Sequence, residues 1–220
     1  MRLDAVIKVG GSLVDSPRLN ELCKTLEKIS KKYKCVIVPG GSEFADTVRK
    51  FDKKFHFSDK VSDRMAILAI DQYGLLLSHL MDSYLLREIE MPKPFPKKPV
   101  IFLPSNYMFE KDPLPNSWDV TSDSIAAHTA QIFKANKLIL VKDVDGIFSS
   151  DPKKSPKAKL IKRISAKQLL AWNKKTCVDK FLPKILLKNK FLCYIVNGKH
   201  PKRIGEILKG KGTVCTEVFR

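Results

Sequence analysis

With 220 residues, 44% hydrophobic and 29% charged, the chain is long enough to bury a substantial core and too polar for a membrane protein. No run reaches the roughly 20 uninterrupted apolar residues that cross a bilayer, and the start, Met1-Arg2-Leu3-Asp4-Ala5-Val6-Ile7-Lys8, lacks the apolar core of a secretory signal, so a cytoplasmic location is expected. The net charge of +18, from 41 Lys and Arg against 23 Asp and Glu, fits either an anionic partner or a solvated lysine surface. Lysine pairs (Lys31-Lys32, Lys53-Lys54, Lys97-Lys98, Lys153-Lys154) are dispersed along the chain, without a stacking motif or helix-turn-helix pattern, and nucleic acid is not expected as a partner.

In chain order, Ala5–Val9 reads as a strand closed by Gly10-Gly11, and Leu19, Leu22, Leu26 and Ile29 fall at helical spacing. Cys35–Val38 is a second apolar strand, and it too ends in a glycine pair, Gly40-Gly41. Phe44–Phe51 predicts a helix and Met65–Leu86 a longer one; the proline-rich stretch Met91–Pro96 then leads into a strand at Val100–Leu103. Ser122–Phe133 reads as helix and Leu138–Val141 as strand. Ser165-Ala166-Lys167-Gln168 has the form of a capping box opening a helix through Leu170 and Trp172. Lys180–Lys188 predicts a helix, Phe191–Val196 a strand, Pro201–Leu208 a short helix and Gly212–Cys215 a last strand.

Short apolar strands alternating with helices imply a largely parallel sheet covered on both faces, here as one domain over residues 1–220. In such folds ligands bind at the carboxyl ends of the strands. Both glycine pairs stand there, where backbone N–H groups can approach an anion closely, although neither matches a Walker A loop or a G-x-G-x-x-G fingerprint. The turn V-K-D-V-D-G after Leu138–Leu140 stands there too. It lacks the third early ligand and the later glutamate of a calcium-binding EF-hand loop, leaving a tight Asp turn or a nucleotide loop. The four histidines share no ligand spacing, so no protein metal site is expected, and the five cysteines, without a C-x-x-C pair, read as packing residues.

Taken in order, I-K-V-G-G-S, V-P-G-G-S, D-V-T-S-D-S-I-A-A and V-K-D-V-D-G-I-F-S-S-D-P resemble the amino acid kinase family, from Ala5 to the terminal G-T-V-C-T. That family includes acetylglutamate, aspartate, uridylate and isopentenyl phosphate kinases. The resemblance implies a three-layer αβα sandwich whose N-terminal half binds the acceptor and whose C-terminal half binds ATP with Mg2+, and a homo-oligomer is expected. It further implies catalytic roles for Lys8 and Lys184, oriented by Asp123, and phosphate contacts from Gly10, Gly11 and Ser12. Lys142, Asp143, Asp145, Gly146, Phe148, Asp151 and Pro152 match the nucleotide-binding loop, and Gly40 and Gly41 the loop against the acceptor.

For the acceptor, Val178-Asp179-Lys180-Phe181 is closer to members acting on phosphate groups than to those acting on carboxylates, and Arg49 is placed to hold such a phosphate or to lie on the surface. Ser42 stands where many members have a third glycine and Phe148 where a tyrosine is common. The stretch His56–Leu77 is most similar to a small archaeal branch that includes the methanofuran-biosynthesis kinase acting on an aminomethylfuranyl-methyl phosphate. Asp59, Asp63 or Asp71 would then pair with the substrate's ammonium, or all three are simply solvated. Uridylate and isopentenyl phosphate are the alternative acceptors; a non-catalytic nucleotide or anion binder, or a nucleic-acid binder prompted only by the charge, is the alternative of another kind.

Overall fold

A computed structural model describes residues 2–172 and 174–220. The strands are β1 (Ala5–Val9), β2 (Cys35–Pro39), β3 (Tyr84–Leu86), β4 (Val100–Phe102), β5 (Lys137–Lys142), β6 (Arg163–Ser165), β7 (Leu192–Asn197) and β8 (Thr216–Phe219). They join one sheet in the order β3-β4-β2-β1-β5-β7-β8-β6. Pairing is parallel throughout except between β7 and β8, so the last two strands run against the rest. The central strands β1, β2 and β5 are apolar but for Lys8, Lys137 and Lys142, because both of their faces are covered.

The helices are α1 (Leu19–Ser30), α2 (Ser42–Phe55), α3 (Asp59–Leu80), α4 (Ser105–Lys111), α5 (Ser122–Ile132), α6 (Ala166–Ala171), α7 (Leu182–Leu187) and α8 (Lys202–Leu208). Side chains alternate along each strand, and the two faces build separate cores. Ala5, Ile7 and Val9 of β1 pack with Leu22 and Leu26 of α1, Tyr73 and Leu77 of α3, and Ile204 and Ile207 of α8. Val6 faces the other way, into a core with Ile125, Ala126 and Ala130 of α5, Leu169 of α6, and Leu182 and Ile185 of α7. The result is the three-layer αβα sandwich expected from the sequence.

Several elements depart from the sequence reading. Helix α3 begins at Asp59 and ends at Leu80, with Met81 already extended, and Tyr84–Leu86 leaves the predicted helix to become β3 at the sheet edge. A Tyr-Leu-Leu run satisfies helical and extended patterns alike, and parallel pairing with β4 decides between them. The last strand lies at Thr216–Phe219 rather than Gly212–Cys215, where it alternates buried and half-buried residues against β7. Helix α4 and the three-residue β6 were not anticipated; both are too short for periodicity to register. The capping box is present: Gln168 N–H donates to Ser165 Oγ, and Ser165 N–H donates to Gln168 Oε1.

Candidate active site

Lys8 continues the Val6 face of β1, the face covered by α5. In the β1–β5 register Lys8 lies beside Leu140, and Lys142 stands two residues further along β5, hence on the same side of the sheet. Both lysines thus point at the first turn of α5, where Asp123 sits 2% exposed. Lys142 Nζ donates to Asp123 Oδ1 at 2.7 Å and Oδ2 at 2.6 Å, and Lys8 Nζ lies 3.0 Å from Oδ1. Burial alone would push the Asp123 carboxyl up, but the ammonium groups of Lys142 and Lys8 outweigh it and hold the carboxyl down to about 2. Burial brings the Lys8 ammonium down to about 8, with Asp123 opposing the shift and Lys142 adding to it. At Lys142, burial is overcome by Asp123 and the shift is upward.

A second carboxylate holds this arrangement in place. Asp179 Oδ2 accepts from Thr121 N–H, Thr121 Oγ1–H and Ser124 N–H, each at 2.9 Å. Its Oδ1 accepts from Ser124 Oγ–H at 2.7 Å and from Leu182 N–H at 2.8 Å. One side chain therefore satisfies the N-termini of α5 and α7 together and fixes the turn that carries Asp123. Asp179 N–H also donates to Asp123 Oδ2 at 3.3 Å. This anchoring role was absent from the sequence reading, where Asp179 served only as a substrate-class marker.

The two lysines expected beside Asp123 were Lys8 and Lys184. Instead, Asp123 holds Lys8 and Lys142, whereas Lys184 is exposed on α7 with its ammonium 5.3 Å from the centre of the Phe181 ring. The signal for Lys142 was its two-residue offset from Lys8's partner in the sheet, which becomes legible only once the strand register is known.

The glycine pairs are packed back to back. A Cβ on Gly11 would stand 2.2 Å from Ser42 N, and one on Gly40 would stand 2.4 Å from Gly11 N. Only glycine permits that approach. Gly10 N–H donates to Val141 O and Gly40 N–H to Val9 O, both at 2.8 Å, so each loop is tied to the strand beside it. Gly41 precedes α2, whose first residue, Ser42, has φ 47° and a buried hydroxyl with no partner. Ser12 is exposed in the single 3-10 turn Gly11–Leu13.

The segment after β5 is internally braced. Asp143 contacts Lys153, and despite burial that ammonium and the Ser12 hydroxyl hold its carboxyl below the usual range. Asp145 accepts from Arg203 Nη1 at 2.5 Å and Asn197 Nδ2 at 3.1 Å. Gly146 is buried at φ 157°, where an added Cβ would meet Thr216 Oγ1 at 2.3 Å; that hydroxyl accepts from Ile147 N–H. Phe148, half-buried, bridges to Leu160 in a short antiparallel return. Asp151 closes the exposed turn, its Oδ1 accepting from Lys153 N–H at 2.9 Å, with Pro152 next to it.

On the other side of the glycine loops lies a small cleft lined by Gly41, Arg49, Asp63, Ile70, Trp118 and Thr121 among others. Arg49 forms its rim, paired with Asp46 at 2.5 Å and lying 4.8 Å over the Trp118 ring. Trp118 is itself fixed by donating Nε1–H to Asp52 Oδ2 at 2.7 Å. Among the described residues no group of three or more His, Cys, Asp or Glu converges as a metal-ligand cluster.

A braced loop and an open cleft thus flank a buried lysine–aspartate–lysine centre on the carboxyl edge of a largely parallel sheet, which defines an α/β protein. The chain belongs to the amino acid kinase family, whose model matches residues 5–187, and it is an enzyme of the kinase class. It is 35% identical to the [5-(aminomethyl)furan-3-yl]methyl phosphate kinase of Methanocaldococcus jannaschii, over 97% of this chain and 96% of that one. It is 28% identical to the uridylate kinase of Thermococcus onnurineus, over 95% of this chain and 97% of that one. Its fold is similar to that of the UMP kinase of Ureaplasma parvum, with a TM-score of 0.75, 24% identity and full coverage of both chains. Among the described residues no helix is long and apolar enough to cross a membrane.

Proposed function

We propose that the protein transfers the γ-phosphoryl group of ATP to a small phosphomonoester, making a diphosphate, with [5-(aminomethyl)furan-3-yl]methyl phosphate as the acceptor. The observation that carries the reading is the buried pair of ammonium groups, Lys8 and Lys142, held on Asp123 between two glycine loops. The orphaned Ser42 hydroxyl at the start of α2 marks a further polar partner still to be met. In this reading ATP supplies the phosphoryl group and Mg2+, bound largely through the phosphates, neutralises part of their charge.

The chain's own residues position and stabilise. Lys8 and Lys142 hold positive charge in a dry site, where it counts most as negative charge spreads during transfer. Asp123 keeps both ammonium groups aimed, and Asp179 keeps Asp123 aimed. Lys184 stands free on α7 for the phosphates, as the family resemblance implies. In this reading Gly10, Gly11, Ser12, Lys142, Asp143, Asp145, Gly146, Phe148, Asp151 and Pro152 form the nucleotide side, while Gly40, Gly41 and Arg49 form the acceptor side. Positioning of this sort accounts for most of the catalysis that phosphoryl transfer requires.

The similarity to the M. jannaschii enzyme supports the furan acceptor, and the uridylate kinases support UMP as the second reading. A homo-oligomer is supported by Val61, Leu68 and Leu75, which lie exposed at seven-residue intervals along α3. ADP release measured with ATP against a panel of phosphomonoesters, their alcohols and small carboxylates tests the function. The phosphomonoesters are expected to be favoured by at least about 100-fold, because an acceptor lacking phosphate leaves cationic donors unpaired. Preference for N-acetylglutamate or aspartate would overturn it.

A further inference from the structure

The acceptor cleft continues past Trp118 into a narrower pocket lined by Asp59, Ser62, Asp63, Ala66, Ser117, Trp118 and Val120. Asp63, Ala66, Trp118 and Val120 line both spaces, so the two form one groove with Gly41 and Arg49 at one end and Asp59 at the other. The cationic end suits the acceptor's phosphate. The far end has the opposite character, although the chain as a whole carries +18.

Three acids of α3 were candidates to meet a positive charge, and the structure separates them. Asp71 accepts from Ser105 Oγ–H at 2.5 Å and lines neither space. Asp59 is exposed in the first helical turn, at the mouth. Asp63 is half-buried, lines the groove throughout and makes no hydrogen bond or ion pair among the described residues. Ser62, next to it on the same wall, is 4% exposed and its hydroxyl also has no partner. A buried hydroxyl is rarely left unpaired without cause, and Ser62 beside the half-buried, unpaired Asp63 on one cleft wall points to a partner that arrives with the ligand.

We propose that Asp63 is the residue by which the enzyme recognises a primary ammonium group on its acceptor, where the two parts of the groove join beside the Trp118 ring. This rests on the phosphomonoester reading above and adds to it a cationic substrate class and the residue that selects it. The surroundings are consistent with a demand for positive charge. Burial and the Asp112 carboxylate push the Asp63 carboxyl up to about 6, and the neighbouring Arg64 guanidinium only partly opposes them. Arg64 lies 5.2 Å over the Phe109 ring, and Arg49 is paired with Asp46. An arriving ammonium would relieve the unpaired carboxylate and donate up to three hydrogen bonds at that wall. Nucleotides such as UMP offer no such cation.

The test compares two acceptors with the full-length enzyme and ATP: [5-(aminomethyl)furan-3-yl]methyl phosphate and its counterpart carrying a methyl group in place of the aminomethyl. Wild type is expected to favour the amine in kcat/KM by roughly 10- to 100-fold, the size of a charge-assisted hydrogen bond in a half-buried site. In Asp63→Asn that ratio collapses towards one, through the KM for the amine, and Asp63→Glu restores part of it. The ratio within one variant is insensitive to general loss of folded protein. Equal use of both acceptors by wild type, or an undiminished preference in Asp63→Asn, would overturn the assignment. UMP used in preference to both would overturn it while leaving the phosphomonoester reading intact. No turnover of any phosphomonoester would overturn that reading and this one together.

Discussion

The two sides of the glycine loops differ in how their polar groups are satisfied. On the β5 side nearly every charge has a partner within the chain: Asp123 with Lys8 and Lys142, Asp143 with Lys153, Asp145 with Arg203 and Asn197. On the α2–α3 side, Asp63 and the hydroxyls of Ser42 and Ser62 have none among the described residues. The first side is organised before any ligand arrives, the second by its ligand. Transition-state stabilisation requires the former, since donors that need not reorganise cost nothing at the moment of reaction. Discrimination among acceptors suits the latter, because unpaired groups penalise a ligand that fails to meet them.

That contrast is open to attack by substitution. The largest effect is expected at the prearranged centre: Lys8→Ala, Lys142→Ala and Asp123→Asn should each lower kcat by about 10²- to 10³-fold, as for loss of one donor to developing charge. Lys142→Ala should also lower the unfolding free energy by about 3 kcal/mol, because it strips a buried carboxylate of its shorter contacts. Steady-state kinetics and denaturant unfolding read these two effects separately. Lys184→Ala, on an exposed side chain, should cost about 10²-fold in kcat with no measurable change in unfolding midpoint. A fall in both would place Lys184 with the prearranged group, and a fall in neither would remove it from the mechanism.

A third expectation concerns pH. The folded-state Lys8 ammonium is already depressed to about 8, so kcat/KM should decline as pH rises through that value. The decline should shift to higher pH in Lys8→Arg, provided that variant retains activity, since a guanidinium keeps its charge. The smallest effect is expected at Ser42, held at φ 47° ahead of α2. Ser42→Gly should raise stability by about 1 kcal/mol by removing left-handed strain, measured from the shift in denaturant midpoint. No gain would mean that the orphaned hydroxyl or the loop contacts matter more than the backbone.

Much of this molecule was legible in its sequence, for identifiable reasons. Parallel strands buried on both faces write themselves as mainly apolar runs, so Ala5–Val9, interrupted only by Lys8, and Cys35–Val38 were visible together with the glycine pairs that end them. Other strands lack that signature: Tyr84–Leu86, three residues at the sheet edge, was absorbed into a helix, and Thr216–Phe219, which alternates buried and half-buried residues, was placed four residues early. At the site, Lys8 and Asp123 were read from motifs. The partnership of Lys142 with Asp123 depends on strand register and on where α5 crosses the sheet, both properties of the assembled fold. Asp179 escaped notice because its five donors come from two helices that only tertiary packing brings together.

The close approach of the two glycine loops bears on more than sterics. With Gly11 against Ser42 and Gly40 against Gly11, neither loop can adjust to its ligand without displacing backbone of the other. In the proposed reading nucleotide and acceptor share this wall, so a shift imposed by one would change the affinity for the other. Thermodynamic linkage makes that influence mutual and equal in size.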